Sequence, residues 1–368
     1  MTSQFKKLKS GKTQTTGGCG SSNKRGKCIL SIDGGGVRGL SALMTLKSIM
    51  DRLNRRLKAS GTYTVKPCEV FDLIGGTNTG GLIAIMLGRL QMTVDECIQA
   101  YGKLSESVFR KPLHDNYVDL DGRIQAKFDS RRLGKEIAEI ITSHGVPEDA
   151  LFASDSEDRR CRTFVCAMDK DTSCMVRLRD YYLSDELSMV EPTIKEAALA
   201  TFAATRFFEP VQIARRMFTD ATLGANNPVD QVEGEANNIW RHEGKDLKAL
   251  VKCFISIGTG NPGLQPVEDV YSSFLGGTLN AISSETEKTE KLFVERWAGH
   301  LEGKRYFRFN VEQGLQNVGI AEYKGIGLIE AATENYLVHQ KQKLCVRDCI
   351  KNLEEKEMHY IDEHKLYA

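Results

Sequence analysis

The chain has 368 residues, 41% apolar and 27% charged, a balance that suits a soluble globular protein of one large or two ordinary domains with a sizeable core. Fifty Lys and Arg face 49 Asp and Glu, so no global field favours nucleic acid, and attraction to a membrane has to come from a local patch. No apolar run approaches the roughly 18 residues that cross a bilayer and no signal-peptide core is present, while the ten cysteines form no Cys-x-x-Cys pair. Together these features lead us to expect a cytoplasmic protein with free thiols.

Residues 1–27 hold seven Lys or Arg, no acid and many Ser, Thr and Gly, which predicts a disordered basic arm. Such an arm can hold a protein near anionic lipid, at about 1 kcal/mol per basic residue close to the surface. CILSID at 28–33 then reads as a strand, and Gly34-Gly35-Gly36-Val37-Arg38-Gly39 opens a helix. Leu40, Leu43, Met44, Ile49, Met50, Leu53 and Leu57 give that helix one apolar face. The glycine run matches G-x-G-x-x-G, a dinucleotide fingerprint, but bare backbone N–H groups at a helix start attract any anion, including the oxyanion of an acyl-transfer intermediate.

The next unit separates these two uses of the loop. A dinucleotide fold wants a second strand ending in an acid, whereas here EVFDLIGG at 69–76 reads as a strand running into Gly76-Thr77-Asn78-Thr79-Gly80 and then a buried helix through LIAIML at 82–87. The pentapeptide has the glycine spacing of a nucleophile elbow, G-x-S-x-G, with Asn at the apex. Asn tolerates positive φ, so the turn is expected to form, but an amide cannot become an alkoxide.

Helical patterns follow through 143, with an N-cap at Asp129 or Ser130, interrupted by a polar, irregular stretch at 111–127 that we expect to govern access to the site. FVCAM at 164–168 and MVRLRDYYL at 175–183 read as a hairpin, 193–205 as an Ala-rich helix, and RRMFTD as a strand that leaves Asp220 at its end, before a bend at Gly224 and Asn226-Asn227-Pro228. A buried strand at 250–260 is followed by mostly helical sequence. No histidine lies in a Gly-rich motif, so a Ser-His-Asp triad has no evident base.

In order and spacing, DGGGVRG at 33–39, GTNTG at 76–80 and DATLGANNP at 220–228 resemble the patatin-like phospholipase family, in its fungal form. The likeness extends over about residues 28–340 and includes the Phe-Phe-Glu-Pro turn at 207–210 and IGTG at 257–260. It implies a three-layer α/β/α sandwich with a central, mostly parallel sheet, occupying residues 28–350; the charged helix expected at 351–368 ends at HKLYA with no Gly or Pro stop signal, so we expect a truncation point of a longer protein there. It also implies a metal-independent, cofactor-free Ser–Asp dyad acting on phospholipid or another glycerolipid, with peripheral membrane contact, no nucleic acid, and either a homo-oligomer or fused regulatory modules. The resemblance assigns the nucleophile position to Asn78, the base to Asp220, the elbow glycines to Gly76 and Gly80, and the oxyanion hole to Gly34, Gly35 and Gly36 supported by Arg38. Ala221 and Thr222 depart mildly from the family pattern, and Asn78 departs decisively. Loss of a nucleophile costs about 10⁶ in turnover elsewhere, so the chain as written is expected to be dead, a deliberately inactivated lipase; the alternative is a natural, non-catalytic lipid- or protein-binding module.

Overall fold

The computed structural model describes residues 26–61, 63–114, 125–154, 160–183, 190–241, 244, 246–261 and 273–366, with side chains omitted for 273–284 and 357–366. The basic arm, apart from Gly26 and Lys27, and the centre of the 111–127 stretch therefore lie outside the described residues.

Eight strands form one sheet: β1 (Lys27–Ile32), β2 (Leu73–Thr77), β3 (Arg162–Asp169), β4 (Met175–Arg179), β5 (Val211–Ile213), β6 (Arg216–Asp220), β7 (Val251–Ile257) and β8 (Tyr306–Phe309). Their order is β5-β6-β3-β2-β1-β7-β8, with β4 also on β3. The five from β3 to β8 are mutually parallel, and β4, β5 and β6 join antiparallel. Alternate residues serve opposite faces, as the two-residue period of a strand demands. Cys28, Leu30 and Ile32 of β1, with Ile74, Ile255 and Ile257, enter the larger core beneath the helices Gly39–Ala59, Val94–Phe109, Ile194–Phe202 and Ile326–Val338. Ile29, Leu73, Phe164 and Phe254 enter a smaller core on the other face, against the helix Val229–Trp240 and the Phe293 and Trp297 rings. Phe254 meets Phe293, Trp297 and Tyr306 edge-on at 5.3, 5.4 and 5.7 Å, a geometry that adds about 0.5–1.5 kcal/mol per pair beyond burial. The α/β/α sandwich is thus built on a near-continuous apolar parallel sheet buried on both faces.

Several local expectations change. Val70 and Phe71 do not open β2: Pro67 at the first helical position and Glu69, whose Oε2 accepts the Lys66 N–H at 2.6 Å, make Pro67–Val70 a helical turn. The helix after the glycine run begins only at Gly39, behind a 3₁₀ turn at Gly36–Arg38. The elbow helix Thr79–Ala84 runs on as a π turn over Ile85–Arg89, and the helix expected over 193–205 spans Ile194–Phe202. Asp129 is the N-cap of Ser130–Ser143, accepting the N–H groups of Arg131 and Arg132 at 2.8 and 3.2 Å. The two short strands β5 and β8 have no counterpart in the sequence reading. At the C-terminus one helix, Gln340–Leu366, crosses position 351 without a break. Among the described residues no helix is long and apolar enough to cross a membrane.

Candidate active site at the strand ends

The site sits where β1, β2 and β6 end. β2 delivers Asn78 at φ 53°, ψ −121°, a conformation that L-residues rarely adopt. The turn closes because Gly76 and Gly80 carry no side chain: a Cβ on Gly76 would strike the carbonyl of Gly80, and one on Gly80 the carbonyl of Ile32 in β1. Thr201 steadies the apex, its Oγ accepting the Asn78 N–H at 3.0 Å and donating to the Cys166 carbonyl at 2.8 Å.

β6 delivers Asp220 to the same point. β2 pairs with Arg162–Cys166 of β3, and β6 pairs with Ala167–Asp169, directly beyond. The strand end carrying Asp220 thereby comes beside the one carrying Asn78, and Asn78 Nδ2 donates to Asp220 Oδ2 at 3.0 Å. Both residues are only 7% exposed. Asp220 Oδ2 also accepts from the backbone N–H of Thr222 at 3.3 Å and from the Thr222 hydroxyl. Burial pushes the Asp220 carboxyl above the ordinary carboxylate value, and the Thr222 and Asn78 hydrogen bonds recover only part of that rise. Asn78 is satisfied at its other end too, Oδ1 accepting from the Thr79 N–H at 2.7 Å and the Thr79 hydroxyl at 3.1 Å.

The glycine loop after β1 is braced on several sides. The Gly34 N–H donates to the Asn226 carbonyl at 2.9 Å, and Thr259 Oγ donates to the Gly34 carbonyl at 2.7 Å. Tyr101 Oη and Thr79 Oγ donate to the Gly36 carbonyl at 2.6 and 3.1 Å, and the Val37 N–H donates to the Ile320 carbonyl at 2.9 Å. Gly36 has φ 58°, and a Cβ there would overlap the Ile320 carbonyl. With Gly34 committed to Asn226, the N–H groups of Gly35 and Gly36 are the loop donors without an acceptor among the described residues. Arg38 ties the loop through its backbone N–H, 3.3 Å from the Gly35 carbonyl. Its guanidinium is buried, its Nε makes no hydrogen bond among the described residues, and burial lowers its pKa to about 10.

The structure thus gathers the elbow, Asp220 and the glycine loop around one point. Sequence reading missed the braces Tyr101, Thr201 and Thr259, of which only Thr259 stood in a quoted motif, IGTG. Among the described residues no three His, Cys, Asp or Glu groups converge as a metal site would require. The chemical capacity is specific: a hydrogen-bond acceptor of raised pKa, a side chain held against it on a strained turn, and bare N–H groups for a developing anion.

The patatin-like phospholipase model matches residues 30–232, which include the glycine loop, the elbow and Asp220. Calcium-independent phospholipase A2-gamma of mouse is 29% identical over 291 residues, covering 78% of this chain and 35% of that protein. The human protein of that name is 28% identical over 332 residues, covering 87% and 39%. A cGAMP-activated phospholipase of Vibrio cholerae is 28% identical over 225 residues, covering 54% and 55%. The chain therefore spans little more than a third of the length of its mammalian relatives.

Proposed function

Because this chain belongs to the patatin-like phospholipase family, we propose that its scaffold is that of a lipid acyl hydrolase with a Ser–Asp dyad, disabled at the nucleophile by Asn78. The observation that carries the reading is the 3.0 Å contact from Asn78 Nδ2 to Asp220 Oδ2, made from the apex of a strained elbow. A serine hydroxyl at that apex would face the same carboxylate. Its oxygen would attack the ester carbonyl carbon while Asp220 takes the hydroxyl proton, and the oxyanion would receive the N–H groups of Gly35 and Gly36. Collapse breaks the ester C–O bond, the lysophospholipid alcohol leaves with the proton from Asp220, and the acyl group stays on the serine. Water then repeats the sequence: Asp220 takes its proton, hydroxide adds to the acyl carbon, and the serine oxygen departs with that proton as fatty acid is released.

With Asn78 none of these steps can begin, and we take the substitution as inactivation of an otherwise intact enzyme. The bracing of the glycine loop and the raised pKa of Asp220 support this. Action at the cytoplasmic face of a membrane belongs to the same proposal, motivated by the lipid substrates that the phospholipase relatives imply.

A second reading rests on a different observation. Both ends of the Asn78 amide are hydrogen-bonded, so Asn is well accommodated and a native, non-catalytic lipid- or protein-binding module accounts for it too. Fatty-acid release from mixed phospholipid vesicles, with chelator, by the chain and by Asn78→Ser, each with and without Asp220→Ala, separates the two. Release only by Asn78→Ser with Asp220 intact supports the disabled lipase. Silence of all four favours the binding module.

A further inference from the structure

Asp33, the first residue of the glycine motif, is 2% exposed and has an exact structural partner that no sequence motif announces. Arg308 of β8 reaches across β7 to the end of β1, its Nη1 donating to Asp33 Oδ1 at 2.9 Å and its Nη2 to Asp33 Oδ2 at 2.6 Å. The strand register makes this reach possible, since Ser31 of β1 pairs with Ser256 of β7, and Ser256 with Arg308. Ser256 Oγ accepts a further bond from Nη1 at 2.8 Å, and Glu290 of the helix Ser273–Arg296 accepts one from Nε at 3.0 Å. The guanidinium is 7% exposed and every one of its three nitrogens is engaged. Burial alone would lower its pKa, but Asp33 and Glu290 outweigh burial and hold it above its ordinary value, so it stays charged.

A two-pronged guanidinium–carboxylate pair fixes direction as well as distance, which a lysine ammonium does not. The carboxylate it fixes belongs to the residue immediately before Gly34-Gly35-Gly36, and the Asp33 N–H is itself bound to the Ile257 carbonyl at 3.0 Å. Asp33 is therefore clamped at backbone and side chain. Arg308 also lies outside the region that the family model matches, 30–232.

We propose that Arg308 is a positioning residue for the anion-binding loop: through Asp33 it aims the Gly35 and Gly36 N–H groups at the carbonyl oxygen of the ester. The proposal rests on the hydrolase reading for its catalytic consequence and on geometry alone for its effect on the loop, and the test has one arm for each.

In the chain as it stands, Arg308→Lys keeps a cation and removes the fork. Amide hydrogen exchange followed by mass spectrometry is expected to quicken at least about tenfold in peptides covering 33–38, with strands β2 and β3 unchanged. Exchange that is unchanged at 33–38, or that quickens throughout the chain, overturns the proposal, whatever the chain's activity. In the Asn78→Ser background, Arg308→Lys and the milder Ser256→Ala, which remains available where a variant at 308 fails to fold, are expected to lower kcat with little change in KM. The expected factors are roughly 10² and roughly 5, at or below the loss of about 10²–10³ that removing an oxyanion donor outright causes. A rise in KM at unchanged kcat overturns the role assigned to Arg308. An inactive Asn78→Ser parent refutes the hydrolase reading instead, and the exchange result then decides the positioning role.

Discussion

Asn78→Ser should make this protein less stable even as it supplies a nucleophile. The Asn amide makes two kinds of contact that one serine oxygen cannot reproduce together. Nδ2 donates to the buried Asp220 carboxylate at 3.0 Å, and Oδ1 accepts the first helical N–H, that of Thr79, at 2.7 Å. A hydroxyl can turn its proton to Asp220 and keep part of the Thr79 contact, so the net loss is about one hydrogen bond, worth about 1 kcal/mol and up to about 3 when the acceptor is charged. That loss of about 1–3 kcal/mol is equivalent to a fall in Tm of about 1–4 °C for a chain of 368 residues, at about 2.1 cal/mol/K of unfolding entropy per residue. Calorimetry or circular dichroism of both proteins at one pH measures it, alongside fatty-acid release. An Asn78→Ser protein as stable as the parent would refute the claim that the amide bridges Asp220 and the helix start, and with it the argument that a functional group was replaced by a better-fitting inert one.

Four further outcomes follow from the same geometry. The acid limb of kcat/KM for Asn78→Ser should lie above the ordinary carboxyl value, because burial raises Asp220, and Thr222→Val should move it higher by removing the hydroxyl hydrogen bond that favours the charged form, the backbone N–H bond remaining; a limb that Thr222→Val leaves in place counts against Asp220 as the base. Since a raised folded-state pKa means the folded protein binds more protons, stability contributed at this site should fall as pH rises from the unfolded carboxyl value through the folded one; Asp220→Asn should flatten that part of the stability–pH curve, and an identical curve would show that the site is not what titrates. Gly36→Ala should destabilise by more than about 1 kcal/mol, combining positive φ with overlap on the Ile320 carbonyl, whereas Gly61→Ala, with positive φ and open space, should cost only the backbone term, about 1 kcal/mol; equal losses in urea melts would discount the overlap. Lys356→Met should cost about 2–4 kcal/mol, toward the low end of a buried-pair break, because Lys356 Nζ lies 2.5 Å from Asp72 Oδ2 and 2.8 Å from the Val70 carbonyl and is itself buried, while the Asp72 side chain is 17% exposed and keeps the Cys28 N–H; a loss under about 1 kcal/mol would show that water enters and replaces the cation.

The parts of the fold that were legible in the sequence are those whose signal is local. β1, β2 and β7 are short apolar runs stopped by glycine, and the Leu40-to-Leu57 pattern fixes a helix face without reference to any partner. β8 was not legible because YFRF is four residues long and amid charged helices, its strand state set by pairing with β7 rather than by propensity. Val70 and Phe71 misled for the converse reason, apolar composition overriding the start signal of Pro67 and Glu69. At the site, the motif glycines, Asn78 and Asp220 could be named from their motifs and the family resemblance those carry, whereas Thr201, Tyr101 and Arg308 could not, since each acts from 65 or more residues away through a bond that only the packing of sheet and helices creates.

The same distinction bears on the proposal that one residue separates an enzyme from a shell. Asp220 reaches Asn78 because β6 takes up β3 at Ala167, one residue beyond the last β2 partner, Cys166, and nothing in that handover involves the side chain at position 78. The glycine loop is likewise hydrogen-bonded by Asn226, Thr259, Tyr101 and Ile320, whereas Asn78 is linked to it by hydrogen bonds through Thr79 and packs its Cβ beside Gly34. Preorganisation therefore resides in backbone pairing and in residues that would survive substitution of the nucleophile. Replacing the apex should leave the acceptor and the anion donors in place, which is why Asn78→Ser is expected to recover activity in a single step.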